Sequence, residues 1–132
     1  MILDATQRFM ELGGQPFRAD MNDEALRKMR VKILAEEYNE YVAGEVQGNL
    51  VEIADGLADI IVVSHGTMLT YFGPRLTTAI YDEVARSNLS KVDGSLGPIV
   101  RRDDGKLLKP AGWRAPQIRE IINAYDSKGV NK

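Results

Sequence analysis

The sequence predicts a mainly α protein with one small β-hairpin near its C-terminus, and three observations carry that expectation. Apolar residues recur at helical spacing through two long stretches in the middle of the chain. Gly13-Gly14, Gly44 with Gly48, and Gly73-Pro74 punctuate these stretches as helix stops and restarts. Asp103-Asp104-Gly105, flanked by short apolar-basic runs, carries the Asp-Gly signal of a tight hairpin turn.

Taken in order, Ile2 to Leu12 reads as a short helix with Phe9 and Leu12 on one face, stopped by Gly13-Gly14. A loop through Pro16 leads to Asn22 or Asp23, either of which can cap the next helix. That helix is expected to run to about Val42, with Leu26, Met29, Ile33 and Tyr41 in its stripe. Gly44 and Gly48, with polar residues between, read as a short connector. A second long helix follows from about Leu50 to Tyr71. It is apolar nearly all round, through Val51, Ile53, Leu57, Ile60, Ile61, Val62 and Val63, which predicts central burial. Phe72-Gly73-Pro74 breaks the chain, and Pro74 near the first helical position opens a third helix to about Asn88. Residues 99–102 and 106–109 form the hairpin arms. Pro116 opens a last helix bearing Ile118, Ile121, Ile122 and Tyr125, and residues 126–132 are expected to fray. At 132 residues, with no repeat or low-complexity tract, a single domain over 1–132 is expected.

A net charge of −2 gives no sign of a general nucleic-acid binder. The absence of cysteine excludes disulfides, zinc-thiolate sites and a cysteine nucleophile. The first residues lack the apolar core of a signal peptide, and the run Ile60 to Val63 is too short to span a bilayer, so the expected location is the cytoplasm, with no membrane partner.

Two acidic clusters carry the chemistry. The first is Glu36-Glu37-x-x-Glu40 and the second is Glu52, Asp55 and Asp59. Acids on a solvated helix face are ordinary, and Glu36 and Glu37 alone fit that description, with Arg27, Lys28, Arg30 and Lys32 near enough to pair. The second cluster is different, because it threads an apolar helix, where an unpaired charge costs several kcal/mol or is neutralised. Counting outward from a connector centred on residues 46 and 47 sets Glu40 opposite position 53 and Glu37 opposite position 56. Glu37 and Glu40 then face Glu52 and Asp55, with Asp59 about one turn further along. Four converging oxygen donors suit a hard cation, Mg²⁺ or Mn²⁺. Glu36 or Asp59 could hold a second ion or act as general base toward a metal-activated water.

Basic residues complement such a site. Arg86, Asn88 and Lys91 end the third helix, and Arg101, Arg102, Lys106 and Lys109 line the hairpin. Near a metal they would suit a polyphosphate, although each alone also fits surface charge. Trp113 reads as an anchor for the C-terminal segment, with base stacking as the alternative. The lone His65 reads as a packing residue, and a single histidine argues against a Glu-x-x-His di-iron site.

The pattern Glu36-Glu37-x-x-Glu40 followed by Glu52-x-x-Asp55 resembles the MazG-like, all-α nucleoside triphosphate pyrophosphohydrolases. Gln7-Arg8-Phe9-Met10, Gly14-Gln15-Pro16, Ala58-Asp59-Ile60-Ile61, Arg86-Ser87-Asn88-Leu89-Ser90-Lys91 and the run from Asp104-Gly105-Lys106 to Pro110 look like a phage-associated, MazZ-type branch of the phosphoribosyl-ATP pyrophosphohydrolase-like superfamily. The resemblance covers nearly the whole chain. It implies a helical bundle whose antiparallel helix pair bears the acidic site. It implies Mg²⁺- or Mn²⁺-dependent hydrolysis of a (d)NTP to (d)NMP and pyrophosphate. Glu37, Glu40, Glu52 and Asp55 would be metal ligands, with Glu36 a further catalytic acid. Asn88 and Lys91 would meet phosphates, joined by Arg86, Lys106 and Lys109. The MazZ-type match favours dGTP or GTP, although no residue reads guanine; dCTP, dUTP or dATP are the alternative substrates. The resemblance also implies a homodimer or homotetramer, and host cytoplasm if the protein is phage-encoded. From another class, a non-catalytic metal- or nucleotide-binding helical oligomer would carry the same acids. Gly56 departs from the family pattern, where apolar residues are commoner. It costs about 1 kcal/mol of helix stability against alanine but allows close helix approach.

Overall fold

The computed structural model describes residues 1–128 and is mainly helical. The chain forms two compact units, Met1–Pro74 and the remainder from Arg75.

The first unit holds α1 (Ile2–Leu12), α2 (Glu24–Gln47) and the first part of α3 (Leu50–Leu89). Asp23 caps α2, its Oδ1 accepting the Leu26 N–H at 3.0 Å. The helix runs past the expected stop at Val42 to Gln47 and ends at Gly48, whose φ of 64° is the left-handed cap that glycine adopts freely. Asn49 then caps α3, its Oδ1 accepting the Val51 and Glu52 N–H groups at 3.1 and 3.3 Å. The connection is therefore the two residues Gly48 and Asn49. Gly44, expected in the connector, is a buried residue inside the helix.

This moves the register of the helical hairpin. A Cβ built on Gly56 would lie 2.8 Å from Tyr41 Cα, and one on Gly44 would lie 3.0 Å from Ile53 N. Tyr41 thus sits opposite Gly56, whereas a connector centred on 46 and 47 would set it opposite residue 52. The correction is four residues, about one helical turn. The two glycines let the backbones approach more closely than any side chain would permit.

The rest of this unit packs around Gly66. Met10 Sδ of α1 and the Arg30 guanidinium both lie against it, at 3.7 and 3.3 Å from where its Cβ would be. Met10, Leu69, Thr6, His65 and Thr70 are buried, and the Ala19 N–H donates to Thr70 O, tying the loop after α1 to α3. The expected central burial of this part of α3 is not what forms: Val51, Leu57 and Ile61 are 74%, 44% and 49% exposed. Within this unit the N-terminal turns of α3 close against α2 on one side, which cannot cover a helix apolar all round. An 18-residue window of α3 reaches a mean hydropathy of 1.2, so its apolar run extends well beyond Ile60 to Val63.

Gly73, at φ 75° and ψ 168°, breaks α3, and Pro74 restarts it. In the second unit Leu76, Thr77, Ile80 and Ser87 are buried on this restarted helix. Trp113 Nε1–H donates to Ser87 O and the Ser87 hydroxyl donates to Arg114 O, which fastens the segment after the hairpin to the helix. The hairpin forms as expected. β1 (Val100–Arg101) pairs antiparallel with β2 (Leu107–Leu108), Val100 opposite Leu108, around Gly105 at φ 88°. The last helix, α4 (Ile118–Lys128), begins two residues after Pro116. Residues 126–128, expected to fray, belong to this helix, and 129–132 lie outside the described residues.

Candidate metal centre

The α2 face turned toward α3 is marked by Arg30, Tyr41 and Gly44, each set against α3 backbone or side chains. Glu37 falls on the same stripe, seven residues from both Arg30 and Gly44, so its carboxylate is directed into the seam between the helices. Glu40 follows one turn later on the adjoining flank. The corrected register brings Asp59 of α3 to both. One carboxylate oxygen from each of Glu37, Glu40 and Asp59 lies within 4.8 Å of the others. Glu37 and Asp59 are half-buried and Glu40 is exposed, so the group is closed on the seam side and open on the other.

Glu37 is the strained member. Its Oε2 is sealed from solvent and meets no hydrogen-bond donor. Burial pushes its pKa above the ordinary carboxyl range, and the negative charges of Glu40 and Asp59 push it further in the same direction. When protonated, Glu37 can donate to Glu40 or Asp59, which favours the neutral form again. Three carboxyl groups this close, with one oxygen walled off and no Lys or Arg paired with any of them among the described residues, form a group that could hold a divalent cation.

The structure separates the other predicted acids from this group. Glu52 and Asp55 are exposed and do not belong to it among the described residues. Glu52 lies beside Gly44, near the hairpin turn, which is where the one-turn correction carries it. Asp55 precedes Asp59 by four residues and Glu36 precedes Glu40 by four, so each lies on the flank one turn away. Asp59, expected beyond the main quartet, is instead a full member.

In the second unit, Arg86 is held in a two-point fork by Glu83, with Nε–Oε1 at 2.6 Å, so its charge is already matched. The Arg86 and Gln117 N–H groups together hold the Glu83 carboxyl down to about 2. Lys91 and Lys109 both converge on Trp113, their Nζ atoms 5.0 and 4.6 Å from the ring centroid. Asn88 is exposed at the helix end, and Lys106 is exposed beside the hairpin turn, its backbone N–H donating to Asp104. Sequence reasoning did not join these three residues, because Lys91 lies 22 residues before Trp113 and only the fold brings it to the ring. His65 is buried, as a packing residue would be, and burial lowers its pKa.

Compared with known proteins, the sequence matches no family model, and no curated protein matches it significantly.

Proposed function

We propose that the protein is a divalent-metal-dependent nucleoside triphosphate pyrophosphohydrolase, cleaving a (d)NTP to (d)NMP and pyrophosphate. The observation that carries this reading is the buried, unpartnered oxygen of Glu37 facing the carboxylates of Glu40 and Asp59. The resemblance of the acidic motifs to the MazG-like enzymes supplies the reaction. Glu37, Glu40 and Asp59 would hold Mg²⁺ or Mn²⁺. A bound ion of this kind would polarise a phosphate and acidify a water. The chain's own residues do the rest. Glu36 and Asp55, each exposed and one turn from a ligand, offer a carboxylate to accept the proton as water adds to phosphorus and the α–β anhydride breaks. Pyrophosphate leaves with the displaced electron pair, its charge met by the ion. A purine substrate, dGTP or GTP first, follows from the MazZ-type resemblance.

The reading includes self-association. A groove of about 490 Å³ in the first unit is lined by Val31, Leu34, Ala35, Tyr38, Ile60 and Ser64. Val31 and Tyr38 in it are 69% and 57% exposed, apolar side chains that a second copy of the chain would cover.

The test is a panel of purine and pyrimidine (d)NTPs with Mg²⁺ or Mn²⁺, scored for monophosphate and pyrophosphate, with the enzyme sized by sedimentation velocity. Glu40→Ala and Asp59→Ala should each lose at least about a hundredfold in rate, the scale of removing one group that stabilises transition-state charge. Glu52→Ala should lose far less. Near-normal turnover in Glu40→Ala or Asp59→Ala would reject the site. Nucleotide binding without product would favour the non-catalytic oligomer, and a monomer would remove self-association.

A further inference from the structure

We propose that the first half of α2 forms a separate binding site for a nucleoside phosphate. A cavity of about 660 Å³ opens there, lined by Glu24, Arg27, Lys28, Val31, Lys32 and Tyr71. Its size falls in the range of small-molecule sites. It shares no residue with the Glu37, Glu40 and Asp59 group, and it does not depend on the metal reading.

Charge is the first argument. Arg27, Lys28 and Lys32 make no ion pair among the described residues, although the sequence offered acids nearby to match them. Three uncompensated cations surround one concave surface, with Glu24 the single acid in its lining. Along α2 these cations follow the Asp23 cap and Glu24 and precede Glu36, Glu37, Glu40 and Glu45, which lie toward its C-terminal end.

Arg30 is the second argument. Its residue is 9% exposed, its Nη2 donates to Thr70 Oγ1 at 3.0 Å, and its Nε has no partner. No carboxylate pairs with it among the described residues, yet buried charges ordinarily require a counter-charge. Thr70, which it meets, directly precedes Tyr71 of the cavity lining, so an unmatched buried cation is tied to the stretch of α3 that borders the cavity.

The lining also specifies more than an anion. Arg27 presents a planar fork suited to a phosphate, and Lys28 and Lys32 present point charges. The Tyr71 ring and Val31 give an apolar wall against which a flat base can lie. Glu24 accepts hydrogen bonds only and suits a base amino group or a ribose hydroxyl. Phosphates on the cations and a base on Tyr71 use every group in the lining.

The experiment is isothermal titration calorimetry on the full chain in EDTA at low salt, with ATP, GTP and inorganic pyrophosphate as probes. EDTA silences the carboxylate centre, so failure of the hydrolase reading leaves this test intact. Expected are saturable nucleotide binding without divalent ion and affinity about tenfold or more above pyrophosphate. The Arg27→Ala/Lys28→Ala/Lys32→Ala variant, altered only at exposed positions, should keep its helical circular dichroism and bind about tenfold or more weakly. Glu37→Gln should bind as the unaltered chain does. The proposal is overturned if neither nucleotide binds, if the triple variant binds unchanged, or if pyrophosphate binds as tightly as the nucleotides.

Discussion

A glutamate in the seam between two helices can shed the cost of its charge in two ways, by taking a proton or by meeting a cation. Glu37 is poised between them, with Oε2 sealed and unpartnered and two further carboxylates beside it. Glu37→Gln keeps the shape, removes the charge and offers an N–H to Glu40 or Asp59. In EDTA the variant should be more stable than the unaltered chain by about 1–3 kcal/mol, the usual cost of an unsatisfied buried group. Added Mn²⁺ should raise the melting temperature of the unaltered chain and do little for the variant. An equal Mn²⁺ shift in both proteins, followed by thermal melts, would show that Glu37 holds no ion. That Glu37 and Glu40 matter was legible in the sequence, because their spacing places both on one side of a helix. The sealed oxygen was not, since it depends on what α3 sets opposite.

What α3 sets opposite is decided at the scale of the element, and there the sequence misleads in one place. Gly44 looks like a helix stop because glycine is costly inside a helix. In the fold it is a contact residue, and the stop is Gly48 followed by the capping Asn49. The glycine-asparagine pair was a usable signal, a left-handed cap followed at once by an N-cap. Reading it would have moved the register by a turn and placed Asp59, not Glu52 and Asp55, against Glu37. Gly56 tests the corrected register. Alanine is the better helix former, so propensity alone predicts that Gly56→Ala stabilises the chain. The close approach predicts the reverse, because the new Cβ would meet Tyr41 Cα at 2.8 Å, and backbone cannot step aside as a side-chain tip can. The expected loss is about 1–3 kcal/mol, as for other overpacked sites. Mn²⁺ affinity should fall with it, as Asp59 is levered away from Glu37 and Glu40. A denaturant midpoint that rises in Gly56→Ala would refute the contact.

At the scale of the whole molecule, the order of helices, the break at Gly73-Pro74 and the terminal hairpin were all legible, because each rests on local chemistry. What was not legible are links between residues far apart in the chain, and Glu83 is the clearest. It grips Arg86 one turn along its own helix and accepts the N–H of Gln117, 34 residues away, just before α4 begins. Those two partners hold its carboxyl down to about 2, against an ordinary value of 4.5. A depressed carboxyl contributes stability that is complete above its unfolded value and is lost as pH falls through the folded one. The second unit should therefore loosen between about pH 4.5 and pH 2. Glu37 in the first unit is shifted the opposite way, so acid relieves its repulsion as pH falls toward 4.5, before Glu83 begins to fail. The two units should respond to acid at different points. Trp113, the sole tryptophan, lies in the second unit and is anchored to Ser87, so its fluorescence reports that unit alone. Its emission should shift at a higher pH than the loss of helical circular dichroism, to which both units contribute. Glu83→Gln should flatten the Trp113 response in this window, since the titrating group is gone. Coincident transitions, or an unchanged Trp113 titration in Glu83→Gln, would mean that the Glu83 link does not set the acid stability of the second unit.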